Sequence, residues 1–192
     1  MVEILDAVLP IISLVTFALL TIPVFRIIRK RAHKSALIIA WFSTAFALSG
    51  AAVANLTAKY YSLPSPQPFL NITLTETPFA ALSSAFMIDG ISVYMSIMFI
   101  AASAVIMLYS VFYFESKERP VERYFAVMLM LTTALIGAVF SGDLLTLFIF
   151  WEAAAAGSGF LMIYRKTPES LNSTLKYLVM TMNAEAIIII TR

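Results

Sequence analysis

The sequence predicts an all-α transmembrane protein of about six membrane-spanning helices with its N-terminus outside, and three observations carry that prediction. Of the 192 residues, 61% are hydrophobic, and only 12% are charged, about half the charged fraction of soluble domains. Apolar runs of about 18 to 25 residues recur along nearly the whole chain, which is the span a helix needs to cross roughly 30 Å of hydrocarbon. Lys and Arg fall almost entirely into alternate polar breaks, as they do where successive loops lie on opposite sides of a bilayer.

Reading the apolar runs between polar breaks places helices near residues 6 to 27, 35 to 58, 85 to 114, 121 to 140, 143 to 164 and 170 to 191. Together they form a single transmembrane domain over residues 1 to 192, with no soluble domain left over. Glu3 and Asp6 make the start acidic, and the first basic cluster follows the first apolar run, so the first helix is expected to stay in the membrane and not to be cleaved. The break at 59 to 79 contains Pro64, Pro66, Pro68 and Pro78 and reads as an irregular outer loop.

Loop one holds Arg26, Arg29, Lys30, Arg31 and Lys34, loop three holds Lys117, Arg119 and Arg123, and loop five holds Arg165 and Lys166, while the even loops hold only Lys59. The positive-inside rule therefore puts the odd loops in the cytoplasm. A multi-pass protein of the cell membrane follows, in contact with lipid and with no nucleic-acid partner. Without cysteine the chain supplies no thiolate metal site, iron-sulfur cluster or thiol nucleophile. His33, the only histidine, lies in the basic loop without a second ligand in view and reads as a solvated residue. There is no metal-ligand spacing, phosphate loop or nucleophile-base arrangement, so no metal, cofactor or catalytic residue is expected in this chain.

Removing the loop charges leaves Asp89, Asp143, Glu152, Lys176 and Glu185 within or near the hydrocarbon. A charge at a helix centre costs about 2.5 to 3.5 kcal/mol on insertion scales, so such residues face a protein interior or a water-filled cavity and mark ion or proton paths. Glu152 lies nine residues after Asp143 and thirteen before Arg165, which at ~1.5 Å per residue is near mid-bilayer. A carboxyl there binds and releases a proton as a nearby cation comes and goes; the plainer reading is a neutral Glu bonded to a neighbouring helix. The run Ala153 to Gly159 is small enough to let another helix approach closely. Lys176 lies about ten residues past Lys166, deep for simple snorkelling. Glu185 is nine residues beyond Lys176 and half a turn round the helix from it, so it either nears the outer water or meets a different partner. Asp143 and Asp89 stand at outer helix ends, where capping competes with ion entry as their role.

The run from Ser141 through Gly142, Asp143 and Leu144 to Trp151-Glu152 resembles the fifth-helix signature of the antiporter-like membrane subunits shared by respiratory complex I, Mrp-type multisubunit cation/proton antiporters and membrane-bound hydrogenases. The stretch Phe86-Met87-Ile88-Asp89-Gly90 is similar to that family's third helix, and Leu175-Lys176-Tyr177 to the start of its sixth. The resemblance covers about residues 84 to 190. It implies that Glu152 and Lys176 belong to a proton or Na+ path; Asp143, Glu185 and Asp89 are secondary candidates by their position in the chain alone. It also implies that the family's central seventh-helix lysine and its second inverted repeat lie beyond this chain. Either a partner chain supplies the missing antiporter helices, or the chain is a truncated product. The expected function is a membrane subunit of a multisubunit ion-translocating complex, with any redox chemistry in its partner subunits. The alternative is a structural subunit, an antiporter relic that packs other membrane subunits without conducting ions.

Overall fold

The computed structural model describes residues 2–28, 34–60, 67–77, 80–115, 121–164 and 167–190. Their elements, in chain order, are α1 (Val2–Ile28), α2 (Lys34–Tyr60), β1 (Gln67–Thr77), β2 (Ala80–Ile88), α3 (Gly90–Glu115), α4 (Glu122–Val139), α5 (Leu144–Ile163) and α6 (Pro168–Ile190). Arg29, Lys30, Arg31, His33, Lys117, Arg119, Arg165 and Lys166, on which much of the orientation rests, lie outside the described residues.

In lipid no water satisfies backbone N–H and C=O groups, so an apolar segment closes its own hydrogen bonds and becomes a helix. Five described helices are long and apolar enough to cross a membrane, over Val8–Ile28, Ser35–Leu56, Gly90–Phe114, Glu122–Val139 and Leu144–Ile163. α6 has 23 residues, length enough at ~1.5 Å each to cross as well, though it is not among those five. The chain is a multi-pass membrane protein.

The helices form a closed ring of four with a two-helix extension. α1 packs against α2 and α4, and α3 closes the ring by packing against the same two. α5 then packs on α4, and α6 on α5. Inside the ring, Phe25, Phe42 and Phe125 meet with ring centroids 4.9 to 5.9 Å apart. Leu14, Val53, Leu56, Leu129 and Ile136 fill the space beyond them and are fully buried. Lipid is as apolar as these side chains, so close packing, more than expulsion of water, holds the ring together. Side-chain bonds add to it: Trp41 Nε1 donates to Thr21 Oγ1 at 3.2 Å between α2 and α1, and Thr132 Oγ1 donates to Ser103 Oγ at 2.9 Å between α4 and α3.

The segment expected as an irregular loop is in large part a hairpin. β1 and β2 pair antiparallel from Gln67↔Ile88 to Thr77↔Ala80, with register shifts after Pro68 and Thr73. Ile72, Thr73, Thr75 and Thr77 are β-branched and suit a strand, and Pro68 sits one residue from the start of a strand that has a neighbour on one side only. Proline content alone therefore misjudged the region. The third helix is corrected with it: residues 85 to 88 belong to β2, and the helix begins at Gly90. Pro64, Pro66 and Pro78 lie outside the described residues.

The hairpin is tied to the helices. Met87 N donates to Phe140 O at 2.9 Å, Phe86 bridges to Ser141, and the Phe86 ring meets the Phe150 ring of α5 edge-on at 5.8 Å. The turn between α4 and α5 is thus held from above by β2.

Candidate functional site: the α5–α6 seam

Asp143 fixes the start of α5. Its backbone is extended (φ −142°, ψ 165°); Oδ1 accepts from Thr146 N at 2.8 Å and Oδ2 from Thr146 Oγ1 at 2.7 Å. Asp89 does the same for α3, where Oδ1 accepts from Ser92 N at 2.7 Å while Asp89 N donates back to Ser92 Oγ at 2.8 Å. Both carboxylates thus satisfy N–H groups that a helix start leaves unpaired.

From that cap, α5 runs two and a half turns to Glu152, which is half-buried. Small residues then let the helix be gripped from two sides. On the α4 side, a Cβ at Gly157 would lie 3.5 Å from Leu131, and the Phe150 ring lies so close over Gly137 of α4 that no side chain fits beneath it. On the α6 side, a Cβ at Gly159 would lie 3.2 Å from Leu178 Cδ2 and 3.4 Å from Thr174 Cγ2, and the Ser158 and Tyr177 hydroxyls are hydrogen-bonded at 2.8 Å.

At 100° per residue, Gly159 lies only about 20° from Glu152 around α5, while Gly157 lies about 140° away. The Glu152 position is therefore on the α6 side of the helix. Ile149, Ala156 and Phe160 border it on the other flank and are exposed, Phe160 by 65%. Glu152 stands where the seam opens. No ion pair or hydrogen bond reaches it from the described residues.

Lys176 is placed elsewhere. α6 meets α5 through Thr174, Tyr177 and Leu178, all about 100° to 200° around the helix from Lys176, and Lys176 is exposed on the far face. The antiparallel contacts Ser158 with Tyr177 and Gly159 with Thr174 and Leu178 set Lys176 level with Gly159, seven residues or about 10 Å along the axis from Glu152. Within this chain the two are not brought together. The side chain of Glu185 lies outside the described residues.

One feature of α6 escapes a residue-by-residue search for charges. Glu169, Asn172, Ser173, Lys176 and Asn183 are all exposed and fall within about 60° of Lys176 around the helix, alongside the exposed Val179 and Met180, so the side of α6 opposite its α5 contact is rich in polar groups. The spacing of three, four and seven was readable in the sequence, although Lys176 alone drew notice there. Among the described residues no group of three or more His, Asp or Glu could hold a metal ion.

Fold and composition define a multi-pass membrane protein of helical class. More particularly, the chain is similar to part of the large A component of Mrp-type antiporters. It is 26% identical over 106 residues to the A component of the Na(+)/H(+) antiporter of Alkalihalophilus pseudofirmus, covering 55% of this chain and 13% of that protein. It is 31% identical over 126 residues to the A/B component of a probable K(+)/H(+) antiporter of Rhizobium meliloti, covering 66% of this chain and 12% of that one. With the A1 component of the Na(+)/H(+) antiporter of Staphylococcus haemolyticus the identity is 29%, over 57% of this chain and 14% of the relative. The chain thus matches about an eighth of the length of these proteins. No protein-family model matches it. Among solved structures, a chain of the membrane-bound sulfane sulfur reductase, an archaeal respiratory membrane complex, superposes with a TM-score of 0.65 at 21% identity, over 98% of this chain and 36% of that one. That likeness is one of fold.

Proposed function

We propose that this chain forms part of an ion-translocating membrane complex of the Mrp antiporter or respiratory type, in which Glu152 takes up and releases a proton, or screens a Na+, on a path completed by other membrane subunits. The observation that carries the reading is the setting of Glu152: a carboxyl near the middle of a membrane helix, at the open edge of the α5–α6 seam, with no partner among the described residues. A carboxyl so placed costs least when a cation or polar group from outside this chain faces it. Lys176 supports the same reading, since the polar side of α6 is directed away from α5 and suits a protein neighbour better than lipid. Partner subunits would supply the helices that cover it. The relatives are named for Na+/H+ and K+/H+ exchange, which makes H+ with a monovalent cation the first pair to test.

The experiment is Glu152→Gln in the assembled complex, reading ion-driven proton movement in membrane vesicles together with subunit stoichiometry. We expect transport to fall at least tenfold with assembly intact. A second reading, a packing subunit that conducts nothing, is favoured by the close approaches at Gly157 and Gly159. It predicts normal transport in Glu152→Gln and loss of assembly when either glycine is enlarged.

A further inference from the structure

The four-helix ring contains a small polar layer that the α5–α6 seam does not use. Phe25, Phe42 and Phe125 define one level of the ring. Two helical turns toward the hairpin end, about 10.5 Å on, α1, α2 and α4 return to the same inner faces at Ala18, Ser49 and Thr132. All three are buried, with exposures of 2%, 0% and 1%. Thr132 Oγ1 is 2.9 Å from Ser103 Oγ, so α3 joins the layer with a fourth small residue. Beyond it, Leu14, Val53, Leu56 and Ile136 close the ring with aliphatic groups. Four small residues, three of them hydroxylic, lie between an aromatic layer and an aliphatic one.

The hydrogen bonding of this layer is incomplete. Ser49 Oγ is buried and has no hydrogen-bond partner among the described residues. It does not bond back to its own helix, whereas Ser96, Ser110, Thr132 and Thr133 each donate to a carbonyl four residues earlier. Thr132 has one hydroxyl hydrogen for two acceptors, Ser103 Oγ at 2.9 Å and Met128 O at 3.0 Å. When Thr132 donates to Ser103, the Ser103 hydrogen has no acceptor among the described residues; when Thr132 donates to Met128 O, Ser103 donates to Thr132 Oγ1 instead. A buried hydroxyl left unpaired is costly. A water molecule with two to four polar partners is the usual remedy where side chains are small enough to admit one.

We propose that Ser49, Ser103 and Thr132 form a binding site for an internal water molecule at the middle of the α1–α4 ring. The water accepts from Ser103 Oγ and donates to Ser49 Oγ, while Thr132 orients Ser103. The contacts of Phe150 with Gly137 and of Gly157 with Leu131 set Thr132 within about one turn of the level of Glu152, on the opposite side of α4.

The test is a map of the full chain in its native assembly, at a resolution that shows ordered waters, combined with the melting temperature of that assembly. We expect a density peak within hydrogen-bond distance of Ser49 Oγ and Ser103 Oγ, lost in both Ser49→Ala and Ser103→Ala, with a lower melting temperature in each. A dry site gives the opposite sign, because Ser49→Ala then removes an unpaired hydroxyl and raises the melting temperature. That rise, or no peak where other internal waters are resolved, overturns the proposal. If Ser49→Ala does not accumulate, Ser103→Ala carries the same two outcomes.

Discussion

Ser158 and Tyr177 share a 2.8 Å hydrogen bond between their hydroxyls, directly beside the place where Gly159 lets α6 come within van der Waals reach of α5. The bond and the close approach depend on each other, since a tyrosine hydroxyl reaches a serine only across a narrow gap. Interhelical bonds in membranes are worth about 0.6 kcal/mol on average and up to about 1.7. We expect Tyr177→Phe and Ser158→Ala each to lower stability by about that amount, and the double variant to cost little more than either alone. A double-mutant cycle read by thermal unfolding in detergent checks this; additive effects would mean that the bond contributes nothing.

Gly159→Leu should be more damaging than loss of that bond. A Cβ at Gly159 already falls 3.2 Å from Leu178, so a branched side chain must push α6 away. Overpacking costs about 1 to 3 kcal/mol. Crosslinking between cysteines placed across the seam should drop in this variant and recover in part when Leu178 is reduced to Ala.

Gly137 makes a sharper case. The Phe150 ring occupies the space a side chain would need, and Phe150 is itself held by Phe86 of the hairpin. Gly137→Ala is therefore expected to destabilise by about 1 to 3 kcal/mol, with partial rescue by Phe150→Leu. Rescue that fails while each single variant folds would show that the ring is not the obstacle.

For Asp143, loss of the cap in Asp143→Ala should cost about 0.5 to 2 kcal/mol, whereas Asp143→Asn, which keeps an acceptor for Thr146 N, should cost much less. Thermal unfolding separates the two. If Asp143→Asn abolishes transport with the fold intact, the carboxylate has a role in ion entry besides the cap.

The helical class was legible because lipid leaves the backbone few choices: runs such as Leu144 to Ile163 become helices wherever they are placed. The hairpin was not, because its signal is spread over Ile72, Thr73, Thr75 and Thr77, and four prolines nearby outweighed it. At the site, the depth of Glu152 could be counted directly along the chain. Its surroundings could not, because which side of α5 meets α6 depends on Gly159, Thr174 and Leu178 fitting together. The separation of Lys176 from Glu152 followed only once that fit fixed the rotation of α6. Ser49 gave no sign at all, since a serine in an apolar helix usually bonds back to its own backbone.

The two-sided character of α6 bears on how the protein is made. Its polar groups, Glu169, Asn172, Lys176 and Asn183 among them, weaken its drive to partition sideways from the translocon into lipid; a lysine at a helix centre opposes entry by about 2.5 to 3.5 kcal/mol, and Lys176, some 10 Å from the level of Glu152, by less. If the proposed function holds, membrane integration of this segment is expected to depend on the helices that come to cover it.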